Sequence, residues 1–203
     1  MLSYGIGATL IVLVGYFGWK FTARNAYESA QYSVVKSEGG FEIRDYADLM
    51  LVSTEMQFDA QGNDGSFSRL FRYISGDNRE QQKVAMTIPV FMKRYGESGS
   101  EGSDGQSQRG QMSFVVPRQV AEHGAPQSGN AAVSLRHRSG GKFAVLRFAG
   151  RMEDASLNSK ENELRRWMEQ QNLQAAGSVE FAGYDPPWTP GFLRRNEILI
   201  RVD

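Results

Sequence analysis

No cysteine occurs in the 203 residues, histidine occurs only twice, and neither sign of charge is in excess, with 23 basic and 23 acidic side chains. Each shortage removes a class of chemistry. Without thiols there is no disulfide, no thiol nucleophile and no Cys-based zinc or iron–sulfur site. The compartment stays open, because a chain without cysteine suits reducing and oxidising surroundings alike. Balanced charge gives no basic excess of the kind that nucleic-acid binding needs, so no nucleic-acid partner is expected. A Ser/His/Asp triad would have to use His123 or His137, and neither has a strand–GxSxG–helix context. No acid/base pair demands an enzyme, and no catalytic residue is assigned.

Charge is also missing from the start of the chain. Met1–Trp19 carries no charged side chain, and its centre, IGATLIVLVGYFGW, is apolar. As a helix, Leu2–Trp19 would span about 27 Å, enough for a bilayer core. Tyr16 and Trp19, then Lys20 and Arg24, read as an interfacial belt with a basic flank. Residues 1–21 are therefore expected to be a single-pass membrane anchor or an uncleaved signal. A cleaved signal peptide would want a basic n-region and an A-x-A-like site, and neither is present. A buried core helix is the third reading. Lys20 and Arg24 do not decide on which side of the membrane the rest lies.

Residues 22–31 read as a polar linker, and 32–203 as one domain. Strand signals cover Tyr32–Lys36, Phe41–Tyr46 and Met50–Phe58. In the second, Phe41, Ile43 and Asp45 alternate with Glu42, Arg44 and Tyr46, which suits a sheet buried on one face. Glu42 and Arg44 share a strand face and are expected to pair. Residues 96–111, GESGSEGSDGQSQRGQ, hold no large apolar side chain and cannot bury enough surface to offset their ordering entropy. They read as a disordered insertion loop, with strand resuming at Met112–Val116. Glu122–Asn130 is another polar loop. Val133–Arg138 and Lys142–Phe148 are expected to form a hairpin about Ser139-Gly140-Gly141. A helix follows over Asp154–Gln171, capped by Asp154 or Ser156, with Leu157, Leu164 and Met168 on one stripe. Strands at Ser178–Tyr184 and Arg194–Val202 flank a Pro/Gly-punctuated loop.

The most informative stretch is Phe67–Val90. Phe67, Leu70, Phe71 and Ile74 fall at i, i+3, i+4 and i+7, one face of a helix. Asp64 is a candidate N-cap, Gly76 ends the helix, and Pro89 marks a strand end or edge. Strands on either side of each of two helices predict an α+β fold, an antiparallel curved sheet with two helices outside it.

Four separated motifs, in order, carry a resemblance: FEIRDY at 41–46, RYISGDN at 72–78, MTIPV at 86–90 and YDPPWTPGFLRRNE at 184–197. With them, the chain from Tyr32 to its C-terminus resembles the SOUL/haem-binding protein family. The resemblance implies a distorted antiparallel β-barrel of two pseudo-symmetric halves, each with one helix. It implies haem or another tetrapyrrole as ligand, in an apolar groove walled by the first helix and the loop before the last strand. In this sequence those walls are Phe67–Ile74 and Tyr184–Phe192.

Phe67, Leu70, Phe71, Trp188 and Phe192 would supply apolar contact there, and Arg69 and Arg72 would pair with propionates. Were the helix stripe core instead, the groove would use the flank carrying Arg69 and Tyr73. Some family members place a candidate iron ligand, a histidine, directly after the tyrosine of the FEIRDY-type motif; here that position is Ala47. His137 shares the parity of Val133 and Leu135 and is the weak candidate metal ligand, against the plainer reading of a half-buried strand-end histidine. His123 and Tyr46 are weaker still. The Arg194–Glu197 run reads best as structural. Three functions stay open: tetrapyrrole carriage, buffering or delivery at a membrane; binding of other apolar small molecules or of a protein; and a tetrapyrrole-modifying enzyme.

Overall fold

A computed structural model describes residues 26–57, 64–95, 109–186 and 188–203. The apolar stretch at 2–19 and residues 96–108 of the expected insertion lie outside them. Among the described residues no helix is long and apolar enough to cross a membrane.

Among the described residues, eleven strands and three α-helices follow in order. The strands are β1 (Glu28–Ser29), β2 (Tyr32–Glu38), β3 (Phe41–Tyr46), β4 (Leu49–Gln57), β5 (Thr87–Ile88), β6 (Val90–Arg94), β7 (Arg109–Val115), β8 (Val133–Arg138), β9 (Gly141–Ala149), β10 (Glu180–Gly183) and β11 (Arg195–Arg201). The helices are α1 (Ser66–Ile74), between β4 and β5, α2 (Arg118–His123), after β7, and α3 (Asp154–Gln170), after β9. Three boundaries differ from expectation. Glu28–Ser29, assigned to the linker, pairs in parallel with Thr87–Ile88. Strand begins at Arg109, so residues 109–111 of the expected loop belong to β7. The third helix, α2, takes up Glu122 and His123 from the expected polar loop; six residues are too few for periodicity to register.

Nine strands form one antiparallel sheet in the order β2-β3-β9-β11-β10-β6-β7-β4-β8. The outermost strands, β2 and β8, do not pair with each other, so the expected barrel is an open sheet that curls. From β3 to β8 the order is palindromic. The first half of the chain supplies β3, β4, β6 and β7, the second supplies β8, β9, β10 and β11, and β6 meets β10 at the centre.

The opening strand of each half pairs with the other half: β3 with β9, and β8 with β4. This overturns the expected hairpin between β8 and β9. Their link crosses the bend between β3 and β4 instead of folding back on itself. The Gly140 N–H donates to Asp48 Oδ1 at 2.7 Å, and a Cβ on Gly140 would stand 2.3 Å from the Tyr46 carbonyl oxygen.

Both faces of the sheet are covered, not one. Leu70, Tyr73, Leu157, Leu164, Trp167 and Met168 from α1 and α3 pack on Val52, Phe114, Phe181, Ile198 and Ile200. On the opposite, inner face lie Tyr46, Leu49, Leu51, Phe91, Phe143, Val145 and Leu199. The alternation in β3 is real, but its reading reverses. Phe41 and Ile43 are only half-buried under α3, whereas Arg44 and Tyr46 are buried on the inner face.

Arg138 holds the curl. From edge strand β8 it reaches Glu180 on β10, with Nε and Nη2 at 2.9 and 2.7 Å from Oε2. Its guanidinium lies 4.2 Å from the Phe143 ring centroid and 4.8 Å from that of Phe91.

The caps explain one of the motifs. Gly76 has φ 109°, and the Asp77 N–H bonds to the Arg72 carbonyl while that of Gly76 bonds to Tyr73, a left-handed helix end that needs glycine. Asn78 then donates to the carbonyls of Tyr73 and Gln82 and accepts from Gln82 N–H. Asp64 accepts from Ser66 N–H and Gln57 N–H, one residue earlier than a cap on Gly65. On α3 the cap position is Glu153, with no side-chain capping bond from Asp154 or Ser156.

Candidate ligand-binding site

The helix stripe divides. Leu70 and Ile74 are buried in the core, as is Tyr73 off the stripe, whose hydroxyl donates to the Pro126 carbonyl at 2.6 Å. Phe67 is half-buried edge-on to Phe114 at 5.2 Å and stacks on Phe71 at 6.1 Å. Phe71 is 49% exposed, and Arg72 beside it is exposed. On the alternative flank, Tyr73 is buried. Arg69 is spent on the fold: Nε donates to Thr54 Oγ1 at 3.0 Å, Nη2 to the Glu55 carbonyl at 2.7 Å and Nη1 to the Asp64 carbonyl at 3.2 Å. These bonds pin α1 to β4. Arg69→Ala is therefore expected to lower unfolding free energy by about 2 kcal/mol in a denaturant titration, leaving ligand affinity of the folded protein unchanged.

The second wall is a stiff loop. Thr189 N–H bonds to the Pro186 carbonyl, Leu193 N–H to Pro190, and Gly150 N–H to Gly191. Arg194 Nε adds a bond to the Thr189 carbonyl, and Asn196 one to Gly150. Held from beneath in this way, Trp188 and Phe192 stand out, 70% and 78% exposed, with Leu193 half-exposed between them and the strand. Among the expected contact residues, Phe71, Arg72, Trp188 and Phe192 thus present ligand-accessible surface, and Leu70 and Tyr73 do not.

Neither histidine lies on those walls. His137 follows the parity of Val133 and Leu135 but has passed the edge of the helix-covered face. Its side chain is 55% exposed, with Nε2 3.2 Å from Asp48 Oδ2. His123 Nδ1 lies 2.8 Å from the Gln119 carbonyl on α2. Tyr46 is buried under Arg44, which donates to its hydroxyl at 3.1 Å. Burial, then the charge of Glu197, push its phenol up to about 12, which opposes a phenolate ligand. Among the described residues no three His, Asp or Glu side chains gather to hold a metal.

Arg195 and Glu197 belong to the inner face. Fully buried Glu197 accepts from Arg44 (Nη1 2.7 Å, Nη2 3.0 Å), Arg195 (Nη2 2.6 Å, Nε 3.0 Å) and the Tyr184 hydroxyl (2.8 Å). Arg44 also takes Glu42 at 2.6 Å, the pair read from the sequence. Every lone pair of this carboxylate that faces a cation is used, so the cluster works as a structural tie between β3 and β11.

One concavity had no signal in the sequence. A groove of about 440 Å³ is lined by Glu28–Gln31, Ala47–Met50, Val115, Val116, Arg118, Ala121, Glu122 and His137. Four separated chain segments build it, so no periodicity or local motif announces it.

Comparison with known proteins adds three findings. The family model described as SOUL heme-binding protein matches residues 27–201. No curated protein matches the sequence. Among solved structures, the EcmrR C-terminal domain is similar at TM-score 0.59 and 12% identity, covering 85% of this chain and 98% of that one. EcmrR in its DNA complex gives TM-score 0.61 at 12% identity, covering 100% of this chain and 67% of that one. A hydrolase from Listeria innocua gives 0.56 at 11%, covering 83% and 94%. At such identity these likenesses concern the fold alone.

Proposed function

This chain belongs to the SOUL heme-binding protein family, and from that premise we propose that it binds a tetrapyrrole on its exposed aromatic surface and carries or buffers it rather than transforming it. The observation that carries the reading is the set of aromatic side chains held out from rigid supports: Phe71 on α1, Trp188 and Phe192 on the braced loop. A planar apolar ring with two carboxylates asks for aromatic faces and a cation, and Arg72 stands beside Phe71. In kind, aromatic faces and a guanidinium suit the ring and its propionates. They offer no imidazole to iron, since both histidines lie elsewhere. Iron-free and iron-bearing ligands should therefore bind alike. The apolar, uncharged Met1–Trp19 stretch would place this activity at a membrane.

The test is a titration of the full-length chain with haem and, separately, with protoporphyrin lacking iron, read by the porphyrin absorbance and by tryptophan fluorescence. One ligand per chain is expected, with affinities agreeing within about threefold. Replacing Trp188 and Phe192 together by alanine should weaken both about tenfold or more, the equivalent of about 1.4 kcal/mol. Haem binding lost in His137→Ala, with protoporphyrin unaffected, would overturn the unligated reading. Equal binding of unrelated apolar dyes would favour a general apolar-ligand module.

A further inference from the structure

We propose that the groove between the N-terminal strand, the β3–β4 bend, α2 and His137 is a second binding site, for an organic cation with an apolar body. At about 440 Å³ it falls within the range of small-molecule pockets, roughly 300–1,000 Å³. Its floor is apolar and buried: Ala30, Leu49, Val115 and Val116. Its rim is acidic. Its charged and titratable lining is three carboxylates, Glu28, Asp48 and Glu122, with the guanidinium of Arg118 and the imidazole of His137.

That guanidinium is already engaged. Nε bonds to Glu122 Oε1 at 2.7 Å and Nη1 to Gln31 Oε1 at 3.3 Å. Glu28 uses Oε1 to accept the Arg118 backbone N–H at 2.8 Å, and Asp48 uses Oδ1 for the Gly140 N–H at 2.7 Å and Oδ2 for His137. Among the described residues no hydrogen bond uses Glu28 Oε2 or Glu122 Oε2. The Gly140 N–H also helps hold Asp48 below the usual carboxylate range, so its charge is present at neutral pH.

An apolar floor under a rim of one sign concentrates field in the cleft and draws in the opposite charge. An ammonium or guanidinium head would sit among the carboxylates while its hydrocarbon part covers Leu49 and Val115. The same rim repels a dianion, so this groove and the aromatic surface take different ligands. No residue is shared between them.

Calorimetric titration of the full-length chain with naphthylmethylammonium, beside the similarly shaped anion naphthylacetate, tests the proposal. One cation per chain is expected, bound at least about tenfold more tightly than the anion. Glu122→Gln, a change at an exposed helix position, should remove several-fold of that preference, and adding Glu28→Gln should remove most of it. Neither change should move the protoporphyrin titration, which keeps failure here distinct from failure of the tetrapyrrole reading. Ala121→Trp, which fills the groove, should abolish binding of the cation. Equal binding of the two ions, a preference indifferent to the carboxylates, or no saturable binding of the cation would each overturn the proposal.

Discussion

Glu197→Ala is expected to cost about 4 kcal/mol of folding stability, close to the whole margin of a small domain, which is about 5–15 kcal/mol. The carboxylate is fully buried and is the shared acceptor for Arg44, Arg195 and Tyr184. Removing it strands the buried Arg44 guanidinium with only Glu42 as ionic partner. The large effect is the cost of an unpaired buried cation rather than the worth of the ion pair. Glu197→Gln keeps the shape and part of the bonding and should cost less.

The acid limit follows with the same sign. Burial, the strongest single influence, raises the Glu197 carboxyl, but the bonds and charges of Arg44 and Arg195 outweigh it and hold it below its ordinary value. Its contribution is present above the ordinary glutamate value of about 4.3 and is lost as pH falls through the lowered folded value. Urea midpoints of wild type, Glu197→Gln and Glu197→Ala at neutral pH measure the cost of each replacement, and wild-type midpoints at falling pH measure the acid loss. A loss under about 1 kcal/mol for the alanine variant would show that the cluster is hydrated and not a tie.

Local signals in the sequence were reliable where the cause was local. The α1 helix, the Gly76 stop and the strand alternation of β3 all appear where expected, because sterics and periodicity act over a few residues. What the sequence did not reveal depends on distant partners. Alternation placed Arg44 and Tyr46 together but not inside, since only the pairing of β3 with β9 and the reach to Glu197 make that face a core. The β8–β9 hairpin failed because a Gly-Gly turn fixes a bend and not the strand that will lie beside it; the exchange of opening strands between the halves is a property of the whole sheet. Arg69 illustrates the same limit at the candidate site. Spacing set it on a helix flank, while the Thr54, Glu55 and Asp64 acceptors that consume it lie in other segments. Trp188 and Phe192 are exposed on a loop that proline and glycine stiffen, and exposed aromatics on a stiff loop need no distant partner to stay exposed.

Above pH 10 the domain is expected to unfold over about two pH units, and three buried tyrosines set that limit. Burial raises the phenols of Tyr46 and Tyr73 to about 12, with Glu197 adding to the first and Glu80 to the second. Burial and then Glu197 raise Tyr184 further. An unfolded tyrosine releases its proton near pH 10, so between pH 10 and the folded value the unfolded chain binds fewer protons than the native one. Stability therefore falls as pH rises, by about 1.4 kcal/mol per pH unit for each such tyrosine. Over two units the three remove about 8 kcal/mol, comparable to the entire stability of a domain.

The three buried phenols should consequently titrate as part of the unfolding transition. Tyr46, Tyr73 and Tyr184 should ionise only together with loss of the sheet signal. Tyr184→Phe removes a phenol whose hydroxyl donates to Glu197, so at neutral pH it should cost about 1–2 kcal/mol. Its alkaline transition should nevertheless be less steep, because one proton fewer is coupled to unfolding. Ionisation of Tyr46 and Tyr184 with the fold intact would mean that water reaches the inner face and that the ionic cluster there is not dry.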